Sequence, residues 1–240
     1  MDTSDENIIF DRNGICNHCI EFQKVTMKNW FPNKFGEAKI KNIIKKIQSE
    51  NNNSEYNCLV GISGGVDSCY LTLKMKSWNL RPLVLHVDAG WNSEIAVSNI
   101  EKIVKFCKFD LYTKVINWDD MRNLQIAFLE SGIANLDAPQ DHIFFTTIYN
   151  FAIKHKIKYI FTGGNIATES VFPRSWHGEA MDAINLKSIY KKYGTKKLRD
   201  YNTVSFFDLY LKFPFFYRLN VIRPLNFMPY NREKAINELK

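Results

Sequence analysis

Residues 58–68 read Cys58-Leu59-Val60-Gly61-Ile62-Ser63-Gly64-Gly65-Val66-Asp67-Ser68. The first five form a short apolar run of the kind that fills a buried strand. A turn follows, and a helix is expected from about Val66 to Trp78. Gly64 and Gly65 let the backbone take a positive φ and approach an anion closely. The N–H groups at the start of the following helix point into the same space. Ser63 and Ser68 add hydroxyl groups, and Asp67 suits the positive end of the helix dipole. No lysine follows the glycines, so the loop is not of the G-x-x-x-x-G-K-[ST] kind.

Outward from this stretch, strands and helices alternate. Strands are expected at 82–87, 111–116 and 157–162, with a last short one at 221–225. Helices are expected at 93–107, 119–131 and 141–155, then 179–192, 203–211 and from Arg232 onward. Upstream, Ile40, Ile43, Ile44 and Ile47 keep the i, i+3, i+4, i+7 spacing of an amphipathic helix, which ends in the polar Asn51-Asn52-Asn53-Ser54. Residues 1–35 read as irregular. This alternation predicts an α/β fold, a doubly wound parallel sheet flanked by helices, whose ligands bind at the carboxyl ends of the strands. Residues 1–55 form an N-terminal segment with a cysteine pair and a helix, and 56–240 form the sheet domain. Three polar clusters fall at strand ends: 63–68, 86–90 and 162–169.

The bulk numbers agree. The 240 residues are 45% apolar, with 18 Phe and 11 Tyr, enough for a sizeable core. A wholly disordered chain is excluded at this composition, and no run reaches the ~20 apolar residues of a membrane-spanning helix; no membrane partner is expected, and nucleic acid is not an expected partner either. The polar start at 1–6 lacks the apolar stretch of a secretory signal. An odd count of five cysteines points to a reducing, cytoplasmic setting. The net charge of +7 suits anionic partners without choosing among them. Its densest cluster is Lys187, Lys191, Lys192, Lys196, Lys197 and Arg199, either a solvated helix face or an anion-binding surface.

Ser63-Gly64-Gly65-Val66-Asp67-Ser68, in its strand-to-helix setting, resembles the PP-loop of the N-type ATP pyrophosphatases, with their adenine nucleotide α-hydrolase-like fold. The resemblance implies cleavage of ATP to AMP and pyrophosphate with Mg²⁺. It assigns the phosphates to Ser63, Gly64, Gly65, Asp67 and Ser68, and the adenine and ribose to His86, Val87 and Asp88. Gly163, Asn165 and Glu169 would hold the nucleotide or, with Asp67, the Mg²⁺. Local alternatives are a capping role for Asp88 and plain solvation of Glu169.

Longer segments resemble the N-acetyl sugar amidotransferases of surface-polysaccharide biosynthesis (O-antigen, lipopolysaccharide or nonulosonic acid). They are 11–19 (Asp11-Arg12-Asn13-Gly14-Ile15-Cys16-Asn17-His18-Cys19), 87–94, Leu124-Gln125, 137–142 (Asp137-Ala138-Pro139-Gln140-Asp141-His142), 163–170 and 223–227. This resemblance runs from about residue 8 to 240. It implies adenylation of an acetamido oxygen on a nucleotide-linked sugar, then attack by ammonia to give an acetamidino sugar. A separate glutaminase subunit with a cyclase-like partner would supply the ammonia. Asp67, Ser68, Asp141 and Glu169 are the expected catalytic residues. Asp137, Gln140, Arg174 and Trp176 are the expected substrate contacts, with His177 beside them; turn formation and loop packing are the bland readings of these. Family members are usually longer, so a C-terminal part is expected to be missing here.

Cys16 and Cys19 have zinc-ligand spacing, but zinc takes four ligands and no second Cys-x-x-Cys follows. The pair reads either as two zinc ligands completed by His18 or others, or as two reduced thiols. Two other functions fit parts of the sequence: a tRNA-modifying PP-loop enzyme of the thiolation or lysidine type, and a nucleotide-binding subunit without catalysis.

Overall fold

The computed structural model describes residues 2–240 apart from 170–172, 174, 175 and 177. Five strands form one parallel sheet: β1 (Cys58–Gly61), β2 (Pro82–Asp88), β3 (Asp110–Val115), β4 (Tyr159–Phe161) and β5 (Asn220–Ile222), in the order β3-β2-β1-β4-β5. The expected doubly wound sheet is therefore present. Alternation along the central strands explains it. Cys58, Val60, Ile62, Val84, Tyr159 and Phe161 enter one core layer. Leu59, Leu83, Leu85, Val87 and Ile160 enter the opposite one. Strands buried on both faces require helices on both.

On the first face lie α2 (Lys34–Glu50), α3 (Val66–Ser77) and α4 (Glu94–Cys107). Ile40, Ile44 and Ile47 of α2 share the core layer of Val60 and Val84. On the second face α6 (Ala138–Lys154) brings Ile143, Phe151 and Ala152 against the sheet. Helix α5 (Trp118–Ser131) packs through Leu124 and Phe128 on Leu186 of α8 (Ala183–Tyr193). A single turn α7 (Ile166–Glu169) follows β4, and α9 (Arg232–Leu239) packs on α3.

Three sequence expectations are corrected. The 1–35 segment is not wholly irregular: α1 (Asn17–Lys24) and a 3₁₀ turn (Thr26–Asn29) lie within it. Helix α6 begins at Ala138 rather than 141, because Pro139 fits a first helical turn, where its missing N–H costs nothing. The helix expected at 203–211 is a π-helix over Asp208–Phe216 containing Pro214. A proline removes a donor and crowds the preceding carbonyl, which disfavours regular α-turns.

Chain direction across the sheet reverses between β1 and β4. From β1 the chain winds outward through β2 to β3; it then returns to β4 and winds the other way to β5. The carboxyl ends of β1 and β4 thus flank a topological switch point, where open α/β sheets bind ligands.

Candidate active site

The loop after β1 is shaped by its own side chains. Ser68 Oγ donates to Gly65 O (3.1 Å) and accepts from Ser63 N–H (3.2 Å). Ser63 Oγ, 3.2 Å away, is therefore the donor to Ser68 Oγ. Both hydroxyls hold the loop closed on itself instead of reaching outward. Gly64 sits at φ +79°, and a Cβ there would stand 2.3 Å from the Ala96 carbonyl oxygen. Asn99 Nδ2 donates to Gly64 O at 3.0 Å, tying the loop to α4. The N-cap of α3 is Gly65, which has no side chain to accept the first N–H groups of the helix. Those of Val66, Asp67 and Ser68 have no intrahelical acceptor and suit an anion.

The segment after β4 meets this helix start directly. A Cβ on Gly163 would lie 2.9 Å from Ser68 N. Buried Asn165 donates through Nδ2 to Asp67 Oδ2 (2.9 Å), and Thr168 Oγ1 donates to the same oxygen (3.2 Å). Asn165 N–H donates to Glu169 Oε2 at 3.2 Å, and Asn165 Oδ1 accepts from Thr168 N–H. The two carboxylates are thus held on one loop system. Desolvation pushes the Glu169 carboxyl up from its ordinary value; Asp67 adds to the rise, while the Asn165 N–H and the Arg223 guanidinium oppose it. Oxygen-rich and acidic, this cluster fits a hard cation beside an anion cradle.

Two contributors were not singled out from the sequence. Tyr230 donates its hydroxyl to Asp67 Oδ1, and its ring lies 5.6 Å from that of Tyr70. Burial and the Asp67 carboxylate push the Tyr230 hydroxyl pKa up. Asn226, within the 223–227 segment, accepts from Ile166 N–H at 2.8 Å, while its carbonyl accepts from Phe31 N–H at 2.8 Å. The N-terminal segment thereby braces the turn that carries Glu169. Neither contact has a periodic signal, because each joins residues far apart in the chain.

At the end of β2, His86 is buried, and its Nδ1 lies 3.0 Å from Ile62 O. A carbonyl only accepts, so Nδ1 carries the proton and Nε2 accepts from Asn92 Nδ2 at 3.0 Å. His86 thus ties the strand ends together. Val87 is buried. Asp88 is half-buried and accepts from Gly90 N–H at 2.8 Å, a turn contact. Gly90 is required there: its φ is +89°, and a Cβ would stand 2.5 Å from the Trp118 ring.

Helix α6 leads into β4 and runs against the strand direction, which puts its start on the carboxyl side of the sheet. Asp137 is the N-cap residue of this helix, yet its side chain makes no capping bond. Gln140 and Asp141 are half-buried in the first turn. Gln125 Nε2 donates to Leu136 O (2.7 Å) and holds the approach to this helix. His142 is fully buried; its Nδ1–H donates to Ala180 O (3.0 Å), and Nε2 accepts from Val204 N–H (3.1 Å). Trp176 is half-buried, and its N–H donates to Pro173 O. Arg174 and His177 lie outside the described residues.

Cys16 is the N-cap of α1, and its Sγ accepts from Cys19 N–H at 3.4 Å, with the two sulfurs 3.4 Å apart. His18 is turned to the buried Asp5, with Nε2 2.6 Å from Oδ2. Among the described residues no three His, Cys, Asp or Glu side chains gather as a metal site.

The class that the topology and loop define is an α/β protein with a doubly wound parallel sheet and a glycine loop at its switch point. No family profile matches the sequence, and no curated protein matches it. Among solved structures it is similar to a predicted subunit of tRNA methyltransferase from Methanocaldococcus jannaschii: 13% identity, 76% of this chain and 73% of that one, TM-score 0.43. It is also similar to an NH₃-dependent NAD synthetase from Campylobacter jejuni (14%, 73% and 75%, 0.40). A third is an NMN synthetase from Francisella tularensis (14%, 86% and 92%, 0.42). Among the described residues no helix is long and apolar enough to cross a membrane.

Proposed function

We propose that this chain is an ATP-dependent amidotransferase of the PP-loop class. In this reading it adenylates the acetamido oxygen of a nucleotide-linked N-acetyl sugar. It then directs ammonia from a glutaminase subunit, with a cyclase-like partner, to the same carbon, releasing AMP and pyrophosphate. The observation that carries the ATP part is the pairing of the Gly64 cradle with the Asp67–Asn165–Glu169 cluster across the switch point. The resemblance of residues 11–19, 87–94, 137–142 and 163–170 to sugar amidotransferases carries the acceptor.

The chemistry is coherent with these residues. An amide oxygen leaves poorly; ATP supplies an adenylyl group that makes it a good leaving group, and Mg²⁺ offsets the phosphate charge. The N–H groups of Val66, Asp67 and Ser68 hold phosphate oxygens, as at other helix starts. Asp67 and Glu169 offer carboxylates to Mg²⁺, with Asn165, Thr168 and Tyr230 fixing the Asp67 orientation. Val87 and Asp88 border the adenine and ribose. The first turn of α6, with Asp137, Gln140 and Asp141, faces the acceptor, Arg174 and Trp176 are assigned to it as further contacts, and Asp141 orients the attacking ammonia. Zinc at Cys16 and Cys19 is part of the proposal, with a structural role.

The test is incubation with ATP, Mg²⁺, ammonium and a panel of UDP-N-acetyl sugars. Expected are pyrophosphate and a product whose mass reflects replacement of O by NH. Pyrophosphate released only with tRNA would overturn the acceptor in favour of a tRNA-modifying enzyme. ATP binding without pyrophosphate under any condition would make the chain a nucleotide-binding subunit.

A further inference from the structure

The π-helix Asp208–Phe216 and the two residues before it carry an unusual surface. Phe206, Phe207, Tyr210, Leu211, Phe215 and Phe216 are all exposed, with Phe215 at 75% and Phe216 at 77%. Only Phe213 among the phenylalanines of this stretch turns inward, its ring 4.9 Å from that of Tyr149. Aromatic side chains bury ~150–250 Å² each, so this cluster offers on the order of 700 Å² of apolar surface. That exceeds the ~300–600 Å² of the largest patch on a typical monomer.

The π-helix connects the carboxyl side of β4 to the start of β5, so its last residues, Phe215 and Phe216, lie toward the amino edge of the sheet. A pocket of about 370 Å³ opens at that edge, lined by Lys46, Glu50, Lys158, Tyr159, Arg218 and Asn220. Arg218 lies two residues beyond Phe216. The acids nearby are already engaged: Glu50 pairs with Lys46 at 3.8 Å and accepts from the Tyr159 hydroxyl, and Asp208 pairs with Lys212 at 3.5 Å. Among the described residues Lys158 and Arg218 are in no ion pair. Exposed aromatic side chains beside unneutralised cations match the chemistry of an anionic membrane surface.

We propose that residues 206–216 dock this protein on an anionic phospholipid bilayer, with lipid phosphates seated at Lys158 and Arg218. The aromatic side chains enter the boundary between headgroups and acyl chains, and the cations meet the phosphates. A second copy fits less well, since a two-fold contact would set the same cations against each other.

Flotation of the full chain with vesicles tests this. Vesicles of phosphatidylcholine mixed with phosphatidylglycerol should carry the protein, more weakly as salt rises; pure phosphatidylcholine should carry far less. A Phe215→Ser/Phe216→Ser variant should bind at least about tenfold more weakly, with an unchanged circular dichroism spectrum because both side chains are exposed. A Lys158→Glu variant should lose the preference for phosphatidylglycerol, and soluble glycerol phosphate should not reproduce the effect by competing at equal phosphate. Equal binding by wild type and the double-serine variant would overturn the proposal. So would absence of vesicle binding by the wild-type chain, whether or not it self-associates. Pyrophosphate release is measured separately, so failure here leaves the catalytic reading standing.

Discussion

Asn165 donates from Nδ2 to Oδ2 of Asp67 over 2.9 Å, joining the turn after β4 to the start of α3 across 98 residues. This bond closes the two sides of the switch point. Asn165 is buried, so replacing it with alanine leaves the Asp67 oxygen with one fewer donor and opens a gap. Asn165→Ala should cost about 1–3 kcal/mol of stability, read as a lower urea midpoint. Asp67→Asn should fold, yet lower ATP-dependent pyrophosphate formation by about a hundredfold or more. Activity within a few-fold of wild type would remove Asp67 from the site.

Tyr230 offers a finer probe. Tyr230→Phe keeps the ring against Tyr70 and deletes only the donor to Asp67. Stability should fall by about 1 kcal/mol, while the Mg²⁺ concentration needed for half-maximal activity should rise. An unchanged Mg²⁺ dependence would give Tyr230 a packing role only.

The two loop glycines should fail in different ways. Gly64→Ala combines a left-handed backbone with a Cβ 2.3 Å from the Ala96 oxygen, a backbone atom that cannot swing away. It should cost about 3 kcal/mol or more. Gly163→Ala presses a Cβ to 2.9 Å from Ser68 N without a positive φ. It should weaken nucleotide affinity more than it lowers the melting temperature. Calorimetric titration with a non-cleaved ATP analogue separates the two effects.

Acid should destabilise the fold through His142. Burial lowers its pKa from the ordinary 6.5, so the unfolded chain takes up a proton first. The stability it contributes is present above about pH 6.5 and is lost as pH falls through the lower folded value. Glu169 acts the other way: its raised pKa contributes stability at low pH that is lost as pH climbs above its ordinary 4.5. Comparing His142→Gln with wild type isolates the first effect; urea midpoints of the two should converge between pH 7.5 and 5.5. Parallel curves would contradict it.

The cysteines should separate by reactivity. Cys19 N–H holds the buried Cys16 thiol below its ordinary 9.0, while the contact with Cys16 raises that of the half-buried Cys19, the more accessible of the two; burial raises Cys58, Cys69 (to about 11) and Cys107. A maleimide at neutral pH should label the 16–19 peptide first and the other three only after unfolding. Prior addition of zinc should slow the first labelling; if it does not, the pair binds no zinc.

The sequence by itself determined the sheet and the cradle. Largely apolar stretches at 58–62, 82–87 and 157–162, each bounded by turn residues, fit strands covered on both faces, and Gly64-Gly65 between a strand and a helix favours a tight turn with a positive φ. Those are local facts, carried by residues within a few positions of each other. The tertiary structure decided what surrounds Asp67. Tyr230 reaches it from 163 residues away, and Asn226 braces Ile166 over 60. Contacts of that separation follow from which helix packs on which, so no spacing in the chain announces them. The same holds for residues 206–216. The sequence predicts only a helix over 203–211, and only the packing shows that Phe213 turns inward while Phe215 and Phe216 face outward.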